Sequence, residues 1–265
     1  MPHPLEPKGS FLVSNTRAAR KGKGGVGETV RTLIYAVLIA VVIRTVAYEP
    51  FNIPSGSMIP TLLIGDYLFV SKFSYGYSRY SIPFGPDLFD GRVLGDLPER
   101  GDVAVFKLPS DPSTDFIKRV VGLPGDRIQM IESVLHINGE AVKRERTDDF
   151  VTTRRDGVVI RVPQYIETLP NGRSYRTLDQ TPNGPLDNTS VYQVRPGFYF
   201  MMGDNRDDSQ DSRVTFAVGQ VPVQNFVGRA EIMFFSTNGK GHWWEVWNWP
   251  TSIRWSRLLK TVQEF

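Results

Sequence analysis

The sequence has no cysteine among its 265 residues, which excludes disulfide staples, thiol nucleophiles and cysteine-ligated metals together, and leaves the redox compartment undetermined. Histidine is nearly as scarce. His3, His136 and His242 form no HExxH pair and no other short-spaced ligand set, which argues against zinc chemistry. A large excess of one charge is lacking too: the net +3 resides in residues 1 to 28, where Lys8, Arg17, Arg20, Lys21 and Lys23 outnumber Glu6 and Glu28. The remainder carries 26 basic and 26 acidic residues, a neutral body with no electrostatic reason to take nucleic acid as a partner.

What is present describes a folded, turn-rich chain. Hydrophobic residues make up 40%, and there are 24 glycines and 19 prolines, neither a disordered nor a collagen-like composition. The length exceeds the ~100 to 200 residues of a common domain, but all-β domains reach ~250, so one compact body with appendages fits.

One apolar run stands out. Leu33 to Ile43 is eleven uncharged apolar residues, and Val30 to Ala47 extends it to 18 if Arg31, Thr32, Arg44 and Thr45 are accepted. As a helix that stretch spans ~27 Å, a marginal fit to a bilayer core. A secretory signal core or a buried helix would read alike. The preceding lysines and arginines favour a cytoplasmic N-terminus, and Arg44-Thr-Val-Ala-Tyr-Glu-Pro-Phe51 offers no small-x-small cleavage pattern. The sequence is therefore read as a basic cytoplasmic tail over 1–29 and one transmembrane helix over 30–48. Within the tail, Lys21-Gly-Lys-Gly-Gly-Val-Gly-Glu-Thr29 superficially matches a phosphate loop, but Glu28 occupies the lysine position and no strand feeds the glycines, so it reads as a linker.

Beyond Phe51 the pattern is short and strand-like: Tyr67 to Val70, Asp102 to Phe106, Phe116 to Val121, Arg127 to Ile131, Val134 to Ile137, Gly197 to Met202 and Ala230 to Phe235. Asn138-Gly139 between two short runs signals a type I′ hairpin. The body reads as mainly antiparallel β, with a core over 49–142 and 191–265. The polar stretch 143–190 is predicted to be a solvent-facing insertion, another hairpin forming a second small β region. All five tryptophans fall between Trp243 and Trp255, interleaved with Lys240, His242, Arg254 and Arg257. Indoles mixed with cations suit a lipid headgroup layer, although core packing would also absorb them.

Three segments could carry chemistry. Phe51-Asn-Ile-Pro-Ser-Gly-Ser-Met-Ile-Pro60 holds Ser55 and Ser57 on a turn fixed by two prolines; about ten residues from the helix end, Ser57 lies within ~35 Å of it. The plain alternative is a linker whose serines satisfy turn hydrogen bonds. A serine hydroxyl needs a base, and neither His136 nor His242 sits in a suitable segment. A neutral lysine is the other option, since desolvation penalises the ammonium. In Phe116-Ile-Lys-Arg-Val-Val121 the strand period puts Lys118 on one face with Phe116 and Val120, and Arg119 on the other, though a strand lysine is commonly just a solvated edge residue. The third segment, Met201-Met-Gly-Asp-Asn-Arg-Asp-Asp-Ser-Gln-Asp-Ser-Arg213, is a dense polar loop without the ligand spacing of an EF-hand. There Ser209 could hold the lysine amine, and Asp211 could pair with Arg213.

Taken together, these segments resemble bacterial type I signal peptidase, the leader peptidase of exported proteins. Pro54-Ser-Gly-Ser-Met58 with Pro60-Thr-Leu-Leu-Ile-Gly-Asp66, Arg100-Gly-Asp-Val-Ala-Val-Phe106, Ile117-Lys-Arg-Val-Val-Gly-Leu-Pro-Gly-Asp126 and the block ending at Arg213 resemble that family's motifs in order. The resemblance runs from about Glu49 to Arg257, leaving out most of the insertion. It implies a membrane-bound serine endopeptidase that removes signal peptides after Ala-x-Ala. Ser57 would be the nucleophile, Lys118 the base, and the Ser55 hydroxyl with the Ser57 N–H the oxyanion hole. Ser209 would orient the lysine, with Asp204, Asp211 and Arg213 in support. Phe51, Ile53, Pro54, Met58, Leu62, Leu68, Val105, Asp115, Phe116 and Ile117 would shape the pockets for small residues. No metal and no cofactor are implied. The expected partners are signal-bearing preproteins and the lipid bilayer, and the expected form is a monomer in the bacterial inner (cytoplasmic) membrane with its catalytic domain on the periplasmic side. A Ser-Lys self-cleaving repressor or an inert membrane-tethered scaffold are the competing readings, the first disfavoured by the lack of a helix-turn-helix.

Overall fold

The computed structural model describes residues 26–82, 91–153, 157–239 and 245–264. His3, Lys240, His242, Trp243 and Trp244 lie outside them, as does the tail to residue 25. Helix α1 covers Val26–Val46, so Gly27, Glu28 and Thr29, assigned to the tail by sequence, are helical, and the last turn stops short of the predicted end. Its 21 residues span ~32 Å. None of its residues is buried, and it is long and apolar enough to cross a membrane. Apolar residues face all sides, the pattern of a helix meant for lipid rather than for one protein core. Two compact units divide the chain, residues up to Ala40 and residues from Val41 onward; all the β structure belongs to the second.

Seven strands form the main sheet: β1 (Tyr48–Asn52), β2 (Asp66–Ser71), β3 (Val103–Leu108), β4 (Asp111–Gly122), then β12 (Phe198–Met202), β13 (Val221–Pro222) and β14 (Phe226–Ser236), in the order β1-β2-β14-β3-β4-β12-β13. Each neighbouring pair is antiparallel. A four-stranded sheet holds β5 (Arg127–Ile131), β6 (Val134–Ile137), β7 (Glu140–Ala141) and β11 (Tyr192–Gln193). The Asn-Gly hairpin is there: His136 pairs with Ala141, and Asn138 and Gly139 take φ of 57° and 90°, as a type I′ turn requires. Strand β1 escaped sequence reading, because Pro50 sits in it; as an edge strand it needs only one side of its ladder.

The insertion is more than one hairpin. Strands β8 (Lys143–Thr153), β9 (Val159–Thr168) and β10 (Ser174–Leu178) make a three-stranded sheet, and it is not wholly solvent-facing: Glu167, Tyr175, Thr177 and Leu178 are buried. Three apolar clusters fill the body. The one beneath the site contains Ile53, Met58, Leu62, Leu68, Val105 and Met233; a second packs Ile128, Leu135 and Phe200 under the four-stranded sheet; Phe106, Val120, Tyr199 and Phe226 belong to the third.

Candidate active site

Ser57 lies in the turn that joins β1 to β2. Ile53 N–H donates to the Asp66 carbonyl at 2.8 Å, Gly65 N–H to the Ile53 carbonyl at 3.0 Å, and Ile59 N–H to the Gly56 carbonyl at 3.1 Å. The Asp66 carboxylate secures the return, accepting from Leu63 N–H at 2.7 Å, Ser236 Oγ at 2.6 Å and the Arg257 guanidinium at 2.7 Å. A rigid turn over an apolar floor therefore presents the hydroxyl.

Strand β4 presents the lysine. Lys118 sits opposite Ala104 of β3, a side chain too small to fill the space above it. The Lys118 amine lies 2.7 Å from Ser57 Oγ, donates to the Ile117 carbonyl at 2.9 Å, and stands 5.1 Å from the centre of the Phe116 ring. Lys118 is 3% exposed and Ser57 7%. Burial pulls the lysine pKa from its ordinary 10.5 to about 8, against the opposing pull of the Asp211, Asp204 and Asp208 carboxylates. Ser209 does not bond this amine as expected. Its Oγ is buried without a hydrogen-bond partner, and the carbonyl that accepts from the amine is that of Ile117.

The neighbouring Arg119 faces the other way, yet is buried rather than solvated. It donates to both Asp204 oxygens at 2.8 and 2.7 Å, and Asp204 also accepts from Thr61 Oγ1 at 2.5 Å. One carboxylate thereby joins the strand carrying the lysine to the segment after the serine. Burial alone would lower the Arg119 pKa, but Asp204 beside it holds it above the usual value. Removing either partner would leave an uncompensated buried charge, a loss of ~3–5 kcal/mol.

The loop after β12 closes the site. Asp211 accepts from Gly203 N–H at 3.0 Å and from Arg213 Nε and Nη2 at 2.9 and 2.8 Å. Burial pushes its carboxyl up, and the Arg213 charge and these donors bring it below the ordinary carboxylate range. Gly203 allows the close approach: a Cβ there would stand 2.6 Å from the Ser57 carbonyl oxygen and 2.2 Å from Ser209 Oγ. Asn205, which sequence reasoning passed over, donates from its backbone N–H to the Ser57 carbonyl and from Nδ2 to the Gly56 carbonyl, both at 3.1 Å. Arg206 grips the insertion's Glu167 with two bonds of 2.8 and 2.6 Å. Nothing in the sequence marked Glu167, since its partner lies 39 residues away.

A cavity of about 510 Å³ runs beside the pair, lined by Phe51, Ile53, Pro54, Ser55, Val105, Asp115, Phe116, Ile117 and Lys118. Met58, Leu62 and Leu68, expected in the pocket wall, are instead fully buried in the cluster below it. Leu68 follows the inward pleat of β2, while Met58 and Leu62 pack inward from the turn before it, and all three support the floor without lining it. Ser55 is exposed at the rim, and the Ser57 N–H donates to no acceptor among the described residues. Away from the pair, carboxylate oxygens of Asp179, Asp187 and Asp207 gather within 4.8 Å of one another. They bind protein donors: Arg144 on Asp179, Gly184 N–H on Asp187, and Gln180 and Thr181 N–H on Asp207. The His136 ring contacts the Val134 carbonyl within its own strand.

The profile of the family described as Signal peptidase, peptidase S26, matches residues 26–235. Signal peptidase I of Rickettsia typhi is 41% identical over 256 residues, covering 89% of this chain and 94% of its own, and that of Rickettsia akari is 42% identical over 86% of this chain and 90% of its own. A crystal structure of a signal peptidase I from Enterococcus faecalis aligns with 51% of this chain and 97% of its own, at 23% identity and a TM-score of 0.29.

Proposed function

The chain belongs to the signal peptidase family, peptidase S26, serine endopeptidases that remove signal peptides, and on that premise we propose that it cuts by a Ser57–Lys118 dyad. The observation that carries this reading is the 2.7 Å separation of the two side chains in a pocket that favours the uncharged amine. A neutral Lys118 takes the Ser57 proton as Oγ attacks the scissile carbonyl. The Ser57 N–H and the Ser55 hydroxyl receive the oxyanion, each donor contributing ~3 kcal/mol to the transition state. Lys118 then protonates the leaving amine, water hydrolyses the ester with the same amine as base, and Ser57 is regenerated. No cofactor enters these steps. Asp204, Asp211 and Arg213 hold the surrounding backbone, and the unbonded Ser209 Oγ stands by to receive the amine when it turns from Ser57.

The substrate class is a preprotein with small residues before the cut. In an extended peptide the first and third residues before the scissile bond face the same side. The wall they would meet is made of the apolar Phe51, Ile53, Val105, Phe116 and Ile117, a lining that suits small uncharged side chains such as those of Ala-x-Ala. Helix α1 is the membrane anchor. With the basic tail cytoplasmic, the β unit lies across the bacterial inner membrane on the periplasmic side. Ring contacts link the exposed Tyr48, Tyr67, Phe69 and Phe73 with Phe234 on β1, β2, β14 and the segment after β2; with the exposed Trp247, Trp249 and Trp255 they suit a headgroup layer. The enzyme acts as a monomer, since one chain supplies every group in the scheme.

The decisive experiment incubates a signal-bearing precursor with wild type, Ser57→Ala and Lys118→Ala in lipid. Wild type releases the mature chain and both variants lose at least ~1000-fold. Cleavage by either variant at near wild-type rate would refute the dyad.

A further inference from the structure

A second cavity, of about 560 Å³, is lined by Gly56 and Ser57 themselves and shares Ser55, Phe116 and Lys118 with the first. If residues before the cut occupy the first cavity, as the proposed function has it, an extended chain passing Ser57 enters the second with the start of its mature part. The two walls of this second space differ in chemistry. Leu186, Val214 and Phe216 are apolar, Phe216 being 90% exposed, while Asp207 and Asp208 supply carboxylates. No arginine, and no lysine besides Lys118, lines it.

The two aspartates are not equivalent. Asp207 spends one oxygen on the Gln180 and Thr181 N–H groups at 2.6 and 2.8 Å. Asp208 is exposed and forms no ion pair among the described residues; its Oδ2 would lie 3.4 Å from a Cβ built on Gly56, the residue before the nucleophile. Its backbone N–H is tied to the Asn205 carbonyl at 3.2 Å, so the carboxylate is held on the loop whose Asn205 anchors the serine turn. In the working state Lys118 is neutral and leaves this negative charge unbalanced.

We infer that Asp208 is a specificity-determining residue that favours a lysine or arginine, and disfavours an acidic residue, in the first two positions after the cut. A long cationic side chain meets both demands of the cavity, laying its methylenes on the apolar wall and its charged head on the carboxylate. An acidic side chain would meet like charge. The Asp208 carboxylate is solvated, so the effect is of surface size, about fivefold in kcat/KM between lysine and glutamate.

The test uses the full chain in lipid and precursors differing only by Lys, Gln or Glu at those two positions. Wild type is expected to prefer Lys over Glu at one or both positions, and the ratio should shrink as salt rises from 0.05 to about 0.5 M through screening. Asp208→Asn should bring the ratio toward one, and Asp208→Lys should invert it, an outcome that misfolding cannot produce. A wild-type ratio of one at both positions, a ratio insensitive to salt, or a ratio kept intact in Asp208→Asn would overturn the assignment. Failure of the dyad reading is separate: it shows as cleavage of the Gln precursor by Ser57→Ala, whatever the charge preference.

Discussion

Lys118 and Arg119 are consecutive, point to opposite faces of β4 and are both buried, yet only Arg119 has a carboxylate within salt-bridge distance. The arginine is held charged by Asp204. The lysine has an alcohol, a carbonyl and an aromatic ring around its amine, none of which repays the cost of burying an ammonium. Period-two alternation thus separates a permanent cation that staples the site from a titrating one that works in it.

The first expectation is a pH profile. Only the neutral amine can take the Ser57 proton, so kcat/KM should rise about tenfold per pH unit on the acid side and level off near the lysine pKa of about 8. Initial rates from pH 6 to 10 on a precursor lacking ionisable groups near the cut measure this. Lys118→Arg should be inactive across the range, since its guanidinium stays protonated. A limb near 6.5 would point to an imidazole instead.

The same depressed pKa makes Lys118 a cost to the fold. Its amine binds a proton less readily in the folded chain than in the unfolded one. Stability is therefore penalised below pH 8 and recovers as pH rises from about 8 to the ordinary 10.5. At neutral pH the penalty is about 3 kcal/mol. Lys118→Met, which keeps the volume and removes the charge, should unfold at higher denaturant than wild type at pH 7, with the gain vanishing by pH 10.5. Urea titrations at the two pH values give the comparison.

Much of this site was legible because its parts are local patterns. The turn at Ser57 is written in its prolines, and alternation in Phe116 to Val121 names the face that carries Lys118. The hairpin at Asn138-Gly139 is set by two left-handed residues. What escaped notice depends on contacts between distant segments. Asn205 anchors the Ser57 turn from 149 residues away, Glu167 meets Arg206 across 39 residues, and Met58, Leu62 and Leu68 could be told from pocket residues only once the direction of each side chain was fixed. Ser209 shows the same limit, since whether its hydroxyl meets the Lys118 amine depends on where the loop after β12 sets it, which no sequence spacing reveals.

Fluorescence can test the lipid contact without new labels, because all five tryptophans lie between Trp243 and Trp255 and intrinsic emission reports that segment alone. In vesicles of lipids brominated high on the acyl chain, emission of the full-length protein should be quenched more strongly than with bromine near the chain end, as expected for indoles at the headgroup boundary. Equal, weak quenching by both would remove the segment from the interface.

The insertion's part in catalysis is testable through Glu167. Arg206 donates to its two oxygens and to the Tyr175 hydroxyl at 3.1 Å, while the Arg206 carbonyl accepts from Arg213 at 2.6 Å. The chain of contacts from β9 thus ends at the ion pair beside Ser209. Glu167→Gln leaves a buried guanidinium half-paired and should cost ~3–5 kcal/mol in denaturant unfolding. Because the next residue back, Asn205, holds the Ser57 carbonyl, loosening this loop displaces the nucleophile more than the pocket before the cut. The variant should therefore lose kcat by more than it gains in KM. Glu167→Gln combined with Arg206→Met removes both charges and should recover part of the stability lost by Arg206→Met alone, because Glu167 is then no longer a buried carboxylate without its partner. Strict additivity of the two changes would mean that the insertion and the loop fold independently.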